Sequence, residues 1–486
     1  SGHQPANTAN SMLSRSLAAS VSRSGHAVSH GAAQRTLTNS ASSARGAAER
    51  VRDVLKSPKS KDGEGTRVQG WVKSVRKQKK VSFVEVSDGS SWNTVQVVVP
   101  SSDLPVNIAT GASVDVSGKL QRSPRGQIEI SDAVVEVVGA CDAPNYPLQK
   151  KYHSVEFMRD VMHLRPRSNL MGAVLRIRSR ASLEIHKFFA DRDFTQIHTP
   201  VLTSIDCEGA GDMFPVDQGE LAAEGDPKTY LTVSGQLHLE PFACALSKVY
   251  TFGPAFRAEN SHTAKHLSEF WMLEPEVAFH DLDASMELAE SCVKHVLNEV
   301  TDKHASDLEH LFALQDDKRE ESGTNRLNDL LRARDKPFVQ MTYDECIDVL
   351  ERSGAFFVEP VERGMDLQTE HERFIVEKHC QGHPVFVTDY PTDLKAFYMK
   401  PRADNPSRVR CFDLLVPRIG ELIGGSERED DYDRLMARVE PGAVQSLQWY
   451  LDLRRFGSVP HAGWGLGFER LVQFTTGVSN IRETAP

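Results

Sequence analysis

The feature that most limits how this chain folds is a set of side chains held in three separated stretches. Phe256-Arg257-Ala258-Glu259 is followed by Glu269-Phe270-Trp271, and Gly467-Phe468-Glu469-Arg470 comes far downstream. Two arginines, an acid and an aromatic spread so widely act together only if one large domain folds around them. With 486 residues there is room for two or three domains, one of them large. No apolar run approaches the roughly 20 residues that cross a bilayer, so a soluble protein with no membrane partner is expected. A net charge of -10 argues against a surface that coats nucleic acid throughout, so any RNA site must be local. The 7 cysteines are scattered without a Cys-x-x-Cys pair, which argues against zinc and for a reducing compartment.

Composition changes along the chain. Residues 1–65 form an extension that carries no Asp or Glu before Glu49, while Arg15, Arg23, Arg35 and Arg45 sit among many Ser and Ala. That is the composition of an organellar transit peptide, for a mitochondrion or plastid, and equally of a disordered tail on a cytoplasmic protein. From 66 to 140 short β-type runs recur: 68–75, 81–86, 94–99, 113–118, and 127–130 then 134–138 to close, with the basic stretch Arg76-Lys77-Gln78-Lys79-Lys80 between the first two. Five such strands make an OB-fold barrel the economical reading. Barrels of this kind hold single strands with a positive groove and an aromatic platform, and Phe83 is the platform candidate, against the plainer reading of core packing.

Residues 141–160 read as a hinge, with Pro144 and Pro147 discouraging helix. The large domain, 161–486, opens on an amphipathic helix whose stripe is Leu170, Val174, Ile177, Ala181, Ile185 and Phe188; Arg176, Arg178, Arg180 and Lys187 are expected to stay solvated. Phe194 to Pro200 reads as a strand ended by proline. His262 and His266 lack the Glu of a His-Glu-x-x-His metal motif, and Gly463, Gly465 and Gly467 only superficially match a dinucleotide loop. The charged stretches 218–228 and 316–336 read as solvated loops or helices.

Taken together these segments resemble the class II aminoacyl-tRNA synthetases, and the barrel places the chain near class IIb. The helix with the strand ending at Pro200 is similar to motif 1, the Arg257 and Phe270 stretches to motif 2, and Gly467 to Leu471 to motif 3. The resemblance implies an α+β protein: an N-terminal OB-fold barrel, then an antiparallel-sheet catalytic domain flanked by helices, working as a homodimer. It implies ATP as cosubstrate with Mg²⁺. Arg257 would contact the α-phosphate and the amino acid carboxylate, Glu259 the adenine amino group, and His262 and Lys265 the terminal phosphate. Adenine would stack on Phe270 with Arg470 over its other face, as cation-π contact allows. Glu421 and Asp413 would hold Mg²⁺; hard carboxylate oxygens suit that ion. On the barrel, Phe83 would stack an anticodon base that Gln96 reads, with Arg76 and Lys77 beside them.

Within the class, the stretch around Ser234 and Gln236, with Glu208, resembles the asparagine-specific branch, where these side chains surround the substrate's α-amino end. Aspartate-specific members carry a lysine where this chain has Leu239, and usually Asp where it has Glu274. A carboxylate facing the substrate side chain accepts from an amide and repels an acid. Arg428 would donate to the amide oxygen, and Tyr390 to Met399 also looks asparaginyl. Glu427 departs from a family position that is often Gln. The resemblance thus implies asparagine and tRNA(Asn) as substrates. An aspartate-specific relative, a tRNA-independent asparagine synthetase and a silent RNA-binding paralogue are the alternatives; Leu239, the barrel and the retained site residues oppose them in turn.

Overall fold

The computed structural model describes residues 47–151, 153–205, 213–219, 228–258, 264–315 and 323–486. The expected barrel is present. Strands β1 (Gly65–Lys77), β2 (Val81–Ser87), β3 (Val95–Pro100), β4 (Ser113–Arg122) and β5 (Ile128–Gly139) close in the order β1-β2-β3-β5-β4. Alternation makes it: Val68, Val72, Val84, Val86, Val95, Val97, Val114, Val116 and Ile130 point inward and are fully or almost fully buried. Closure leaves no unpaired edge.

A short helix, α1 (Val155–Asp160), leads to the long α2 (Asn169–Ala190), whose first turn is capped by Ser168 accepting from the Met171 amide at 3.2 Å. Val174, Ile177, Ala181, Ile185 and Phe188 of the predicted stripe are buried, with Met171, Ala173 and Phe189 added, while Leu170 is only partly buried against them. Two of its arginines are not solvated as expected. Arg176 pairs with Asp307 at 2.6 Å and Arg178 with Glu469 at 2.7 Å, both with side chains mostly covered. A helix charge finds a partner when a distant element brings one, and helical spacing does not show that.

An eight-stranded sheet forms the heart of the large domain. In chain order its strands are β6 (Thr195–Gln196), β7 (Lys248–Phe256), β8 (Glu269–Ala278), β9 (Val339–Thr342), β10 (Val385–Thr388), β11 (Cys411–Val416), β12 (Gly420–Glu427) and β13 (His461–Gly467). They lie side by side as β9-β10-β11-β12-β13-β8-β7-β6, antiparallel except for the outer pairs β9/β10 and β6/β7. The strand expected over 194–200 pairs only at Thr195 and Gln196, against Val249 and Tyr250. Helices α3 (Gln236–Leu246), α4 (Leu282–Lys303), α5 (Ala305–Gln315), α6 (Gly323–Asp335) and α7 (Phe468–Thr476) flank it. Leu273, Val293, Val296, Leu466, Leu471 and Phe412 form part of one apolar cluster between α2, α4, α7 and the sheet, each contributing about 1.5–3 kcal/mol on burial. Of 316–336, residues 316–322 lie outside those described; from Gly323 the stretch is helical, one of the two forms expected, but Leu330 and Ala333 join this core instead of staying solvated. Of 218–228, residues 220–227 lie outside those described.

Glu427 fills a local need. Its Oε1 accepts from the Leu282 amide at 2.8 Å, at the start of α4, and from Arg410 Nε at 2.5 Å. A carboxylate at a helix N-terminus satisfies an orphan amide and meets the positive end of the dipole. The six cysteines among the described residues are all free thiols.

Candidate active site

The hairpin β7/β8 sets the first part of the site. Ala255 pairs with Phe270 and Phe256 with Glu269, and the Arg257 amide donates to Ser268 O at 3.0 Å, so Arg257 emerges beside Phe270. On the other side of β8, Met272 pairs with Gly467, after which α7 begins and carries Arg470 in its first turn. Strands β11, β12 and β13 add the rest, with Asp413 opposite Gly424 and Gly425 opposite Trp464. One cavity of about 490 Å³ results, lined by Arg257, Lys265, Phe270, Arg470, Asp413, Glu421, Ser234, Gln236, Glu274 and Arg428. Every predicted site residue of the large domain that is described thus meets in one place. Glu208, Glu259 and His262 lie outside the described residues.

At one end, Arg257 places its guanidinium 5.4 Å from the centre of the Phe270 ring. Arg470 donates to the Glu421 carbonyl at 2.8 Å and approaches its carboxylate at 3.4 Å. Lys265 donates to Ile419 O at 2.7 Å, and burial pushes its ammonium down to about 8. The carboxylates of Glu421 and Asp413 converge over Gly424, where an added Cβ would lie 3.1 Å from Glu421 Oε1 and 3.5 Å from Asp413 Oδ1. Asp413 also holds Lys395 at 2.7 Å, whose ammonium stands over the Tyr390 ring. Burial works against charge on Glu421, but Arg470, Lys395 and Arg257 together hold its carboxyl below the usual range.

The other end is acidic and densely hydrogen-bonded. Glu274 accepts from Ser234 Oγ and from the Gly235 amide at 2.9 Å, at the N-terminus of α3. Arg428 donates from Nε and Nη2 to Glu276 at 3.0 and 2.9 Å and from Nη1 to Ser426 Oγ at 2.7 Å. Behind it Glu240, wholly buried, accepts from Arg454 at 2.8 Å and Tyr450 Oη at 2.9 Å, and meets His461 at 2.9 Å. Burial opposes its charge, yet Arg454, His461 and Arg428 keep the Glu240 carboxyl well below the usual range. Glu240, Glu276 and His461 stand close enough to grip a metal, but Arg428 and Arg454 already take their oxygens. An ion-pair knot is what the donor set makes.

Sequence reasoning missed Glu276, Lys395 and Glu240. Glu276 was legible: Met272, Glu274 and Glu276 alternate along β8 and face the cavity together. Only glycine fits opposite, at Gly463, because an added Cβ would strike the Glu276 carboxylate and the Pro275 carbonyl. The glycines of 463–467 therefore belong to strand β13. Leu239 is placed differently from the role its position suggested. It is buried against Ala243, Val249 and Ile197 and is not part of the cavity wall.

On the barrel, Phe83 is half-buried on the outer face with Arg76 opposite it in register and its guanidinium 5.3 Å from the ring centre. Arg76 donates to Gln96 Oε1 at 2.7 Å, and Gln96 Nε2 donates to Glu129 at 2.9 Å. Lys77 is exposed beside them.

The antiparallel sheet, the paired arginines over it and the barrel ahead of it define a class II aminoacyl-tRNA synthetase. The family described as tRNA synthetases class II (D, K and N) matches residues 154–486, and an OB-fold nucleic acid binding domain matches 66–138. An asparagine–tRNA ligase of Parabacteroides distasonis is 47% identical over 90% of this chain and 96% of its own, and one from a Nostoc species is 47% identical over 90% and 97%. The crystal structure of asparaginyl-tRNA synthetase from Pyrococcus horikoshii complexed with asparaginyl-adenylate superposes with a TM-score of 0.79 at 32% identity, covering 90% of this chain and 97% of that one. The chain belongs to the asparagine–tRNA ligase family.

Proposed function

We propose that this chain activates asparagine with ATP and transfers it to tRNA(Asn). The observation that carries this reading is the single cavity in which Arg257, Phe270 and Arg470 at one end meet Glu274, Glu276 and Arg428 at the other. An asparagine carboxylate oxygen attacks the α-phosphorus, the bond to the β-phosphate oxygen breaks, and pyrophosphate leaves. Arg257 stabilises the charge that gathers on the α-phosphate oxygens, as a planar, always-charged fork does. Phe270 and Arg470 take the adenine between them, and Lys265 reaches the terminal phosphate. The terminal ribose hydroxyl of the tRNA then attacks the adenylate carbonyl and AMP leaves. The chain supplies position and field, not a nucleophile.

Asp413 and Glu421, converging over Gly424, fit a hard divalent ion. Mg²⁺ held there would supply charge neutralisation on the phosphates. Ser234 and Gln236 bind the amino end of asparagine. Glu274 accepts from the side-chain amide while Arg428, steadied by Glu276, faces its oxygen. A second carboxylate in that place would meet two anions and only one cation, already paired. Polar discrimination of this kind reaches roughly 10⁴–10⁵.

Phe83, Gln96, Arg76 and Lys77 form the anticodon surface. A homodimer is part of the same reading: Phe242 and Leu246, one turn apart on α3, and Phe279, whose strand end is bonded to Ser247, expose apolar surface that a second copy would cover. Parallel ATP–pyrophosphate exchange with asparagine and with aspartate tests the core of it. Exchange is expected with asparagine, and Arg257→Ala lowers it about 100- to 1000-fold; exchange with aspartate instead defeats the specificity, and exchange with neither defeats the activity.

A further inference from the structure

Arg178 lies on the long helix α2, outside the cavity wall, yet it links two elements of the nucleotide end, α7 directly and β8 through Glu469. Its Nη2 is 2.7 Å from Glu469 Oε1, in a pair whose carboxylate is almost wholly buried. The other oxygen, Glu469 Oε2, accepts from the Trp271 backbone amide at 2.9 Å. The guanidinium stacks on the Phe468 ring at 4.6 Å, and Nη1 donates to Thr484 O at 3.3 Å. Phe468 in turn meets Phe252 edge-on at 5.0 Å, and Phe252 meets Trp271 at 5.3 Å.

The reason for the arrangement is in the strand ladder. Pairing of β8 with β13 ends at Met272 and Gly467, because β13 turns into α7 there. The next amide on β8, that of Trp271, has no strand left to bond. The Glu469 carboxylate takes that place, so a side chain continues the ladder for one more step. A buried carboxylate needs a cation as well as that amide, and Arg178 provides it. Trp271 follows Phe270, and Glu469 precedes Arg470. The distance between the two groups that would sandwich a purine is therefore set at their neighbours, by one carboxylate held from behind.

We infer that Arg178 is a positioning residue for nucleotide binding: through Glu469 it fixes the spacing of Phe270 and Arg470. The inference rests on reading the cavity as an ATP site. It predicts an effect confined to one substrate, because Glu274, Glu276 and Arg428 are held by other partners.

Asparagine-dependent pyrophosphate exchange, measured over ATP and asparagine concentrations separately, tests it with Arg178→Ala and Glu469→Gln alongside the unsubstituted chain. Each variant is expected to raise KM for ATP about 10- to 100-fold while KM for asparagine stays within about twofold. An unchanged KM for ATP overturns the inference, and so does an equal rise in both KM values, which marks general loosening of the fold. Should Arg178→Ala fail to fold, Glu469→Gln is judged alone by the same two criteria. Absence of exchange in the unsubstituted chain sinks the ATP reading instead, so the two failures are distinct.

Discussion

Lys265 shows how one side chain ties the site to pH. Burial leaves its ammonium at about 8, with Arg373 and Arg470 adding to the fall and Glu372 and Glu377 opposing it. The charged form is the one a phosphate attracts. Below that value Lys265 is a cation; above it the charge is lost, and the terminal-phosphate contact proposed for it weakens. Glu372, pushed up to about 8 by burial and by the charges on Glu421 and Asp413, turns anionic over the same interval and works in the same direction. KM for ATP is therefore expected to rise between about pH 7 and 9, by up to about tenfold per unit once Lys265 is neutral. Lys265→Arg keeps its charge throughout and should flatten the profile, leaving the smaller Glu372 component. An identical profile in Lys265→Arg removes Lys265 from the phosphate end.

At the scale of elements, β1, β2 and β3 bring Arg76, Phe83 and Gln96 to one outer strip while their alternate residues fill the barrel. Stacking on one aromatic is worth about 1–3 kcal/mol, so Phe83→Ala should lower kcat/KM for tRNA charging by roughly 5- to 150-fold. Pyrophosphate exchange, which needs no tRNA, should not change. Equal losses in the two assays would deny Phe83 its place on the strip. The strip was legible in the sequence because a strand's period of two separates inward valines from outward polar residues without outside help. So was the stripe of α2, by its helical period. What was not legible is pairing between elements far apart. Nothing in the spacing of Arg176 and Arg178 shows that Asp307 and Glu469 will arrive to meet them, and the acidic knot of Glu240 and Glu276 forms only when α3, β8 and β13 are assembled. Leu239 is the converse: its sequence position points at the substrate, while the turn of α3 sends its side chain into the core.

Across the whole molecule, the barrel is held to the large domain by a few strong contacts. Trp92, in the barrel turn between β2 and β3, lies on His310 of α5 with ring centres 4.2 Å apart and planes 8° from parallel. Its indole donates to Ser306 Oγ at 2.9 Å. Arg176 reaches from α2 to the Gly89 carbonyl at 2.8 Å while holding Asp307. Burial lowers the His310 pKa, so the imidazole lies neutral against the indole at neutral pH. An indole pressed face to face on another ring emits differently from one in water. The junction thus carries its own optical gauge: the difference in emission between the unsubstituted chain and Trp92→Phe isolates one of the 5 tryptophans. If charging pulls barrel and large domain apart, that difference signal shifts as tRNA is added; a constant signal means the two move as one body through the whole cycle.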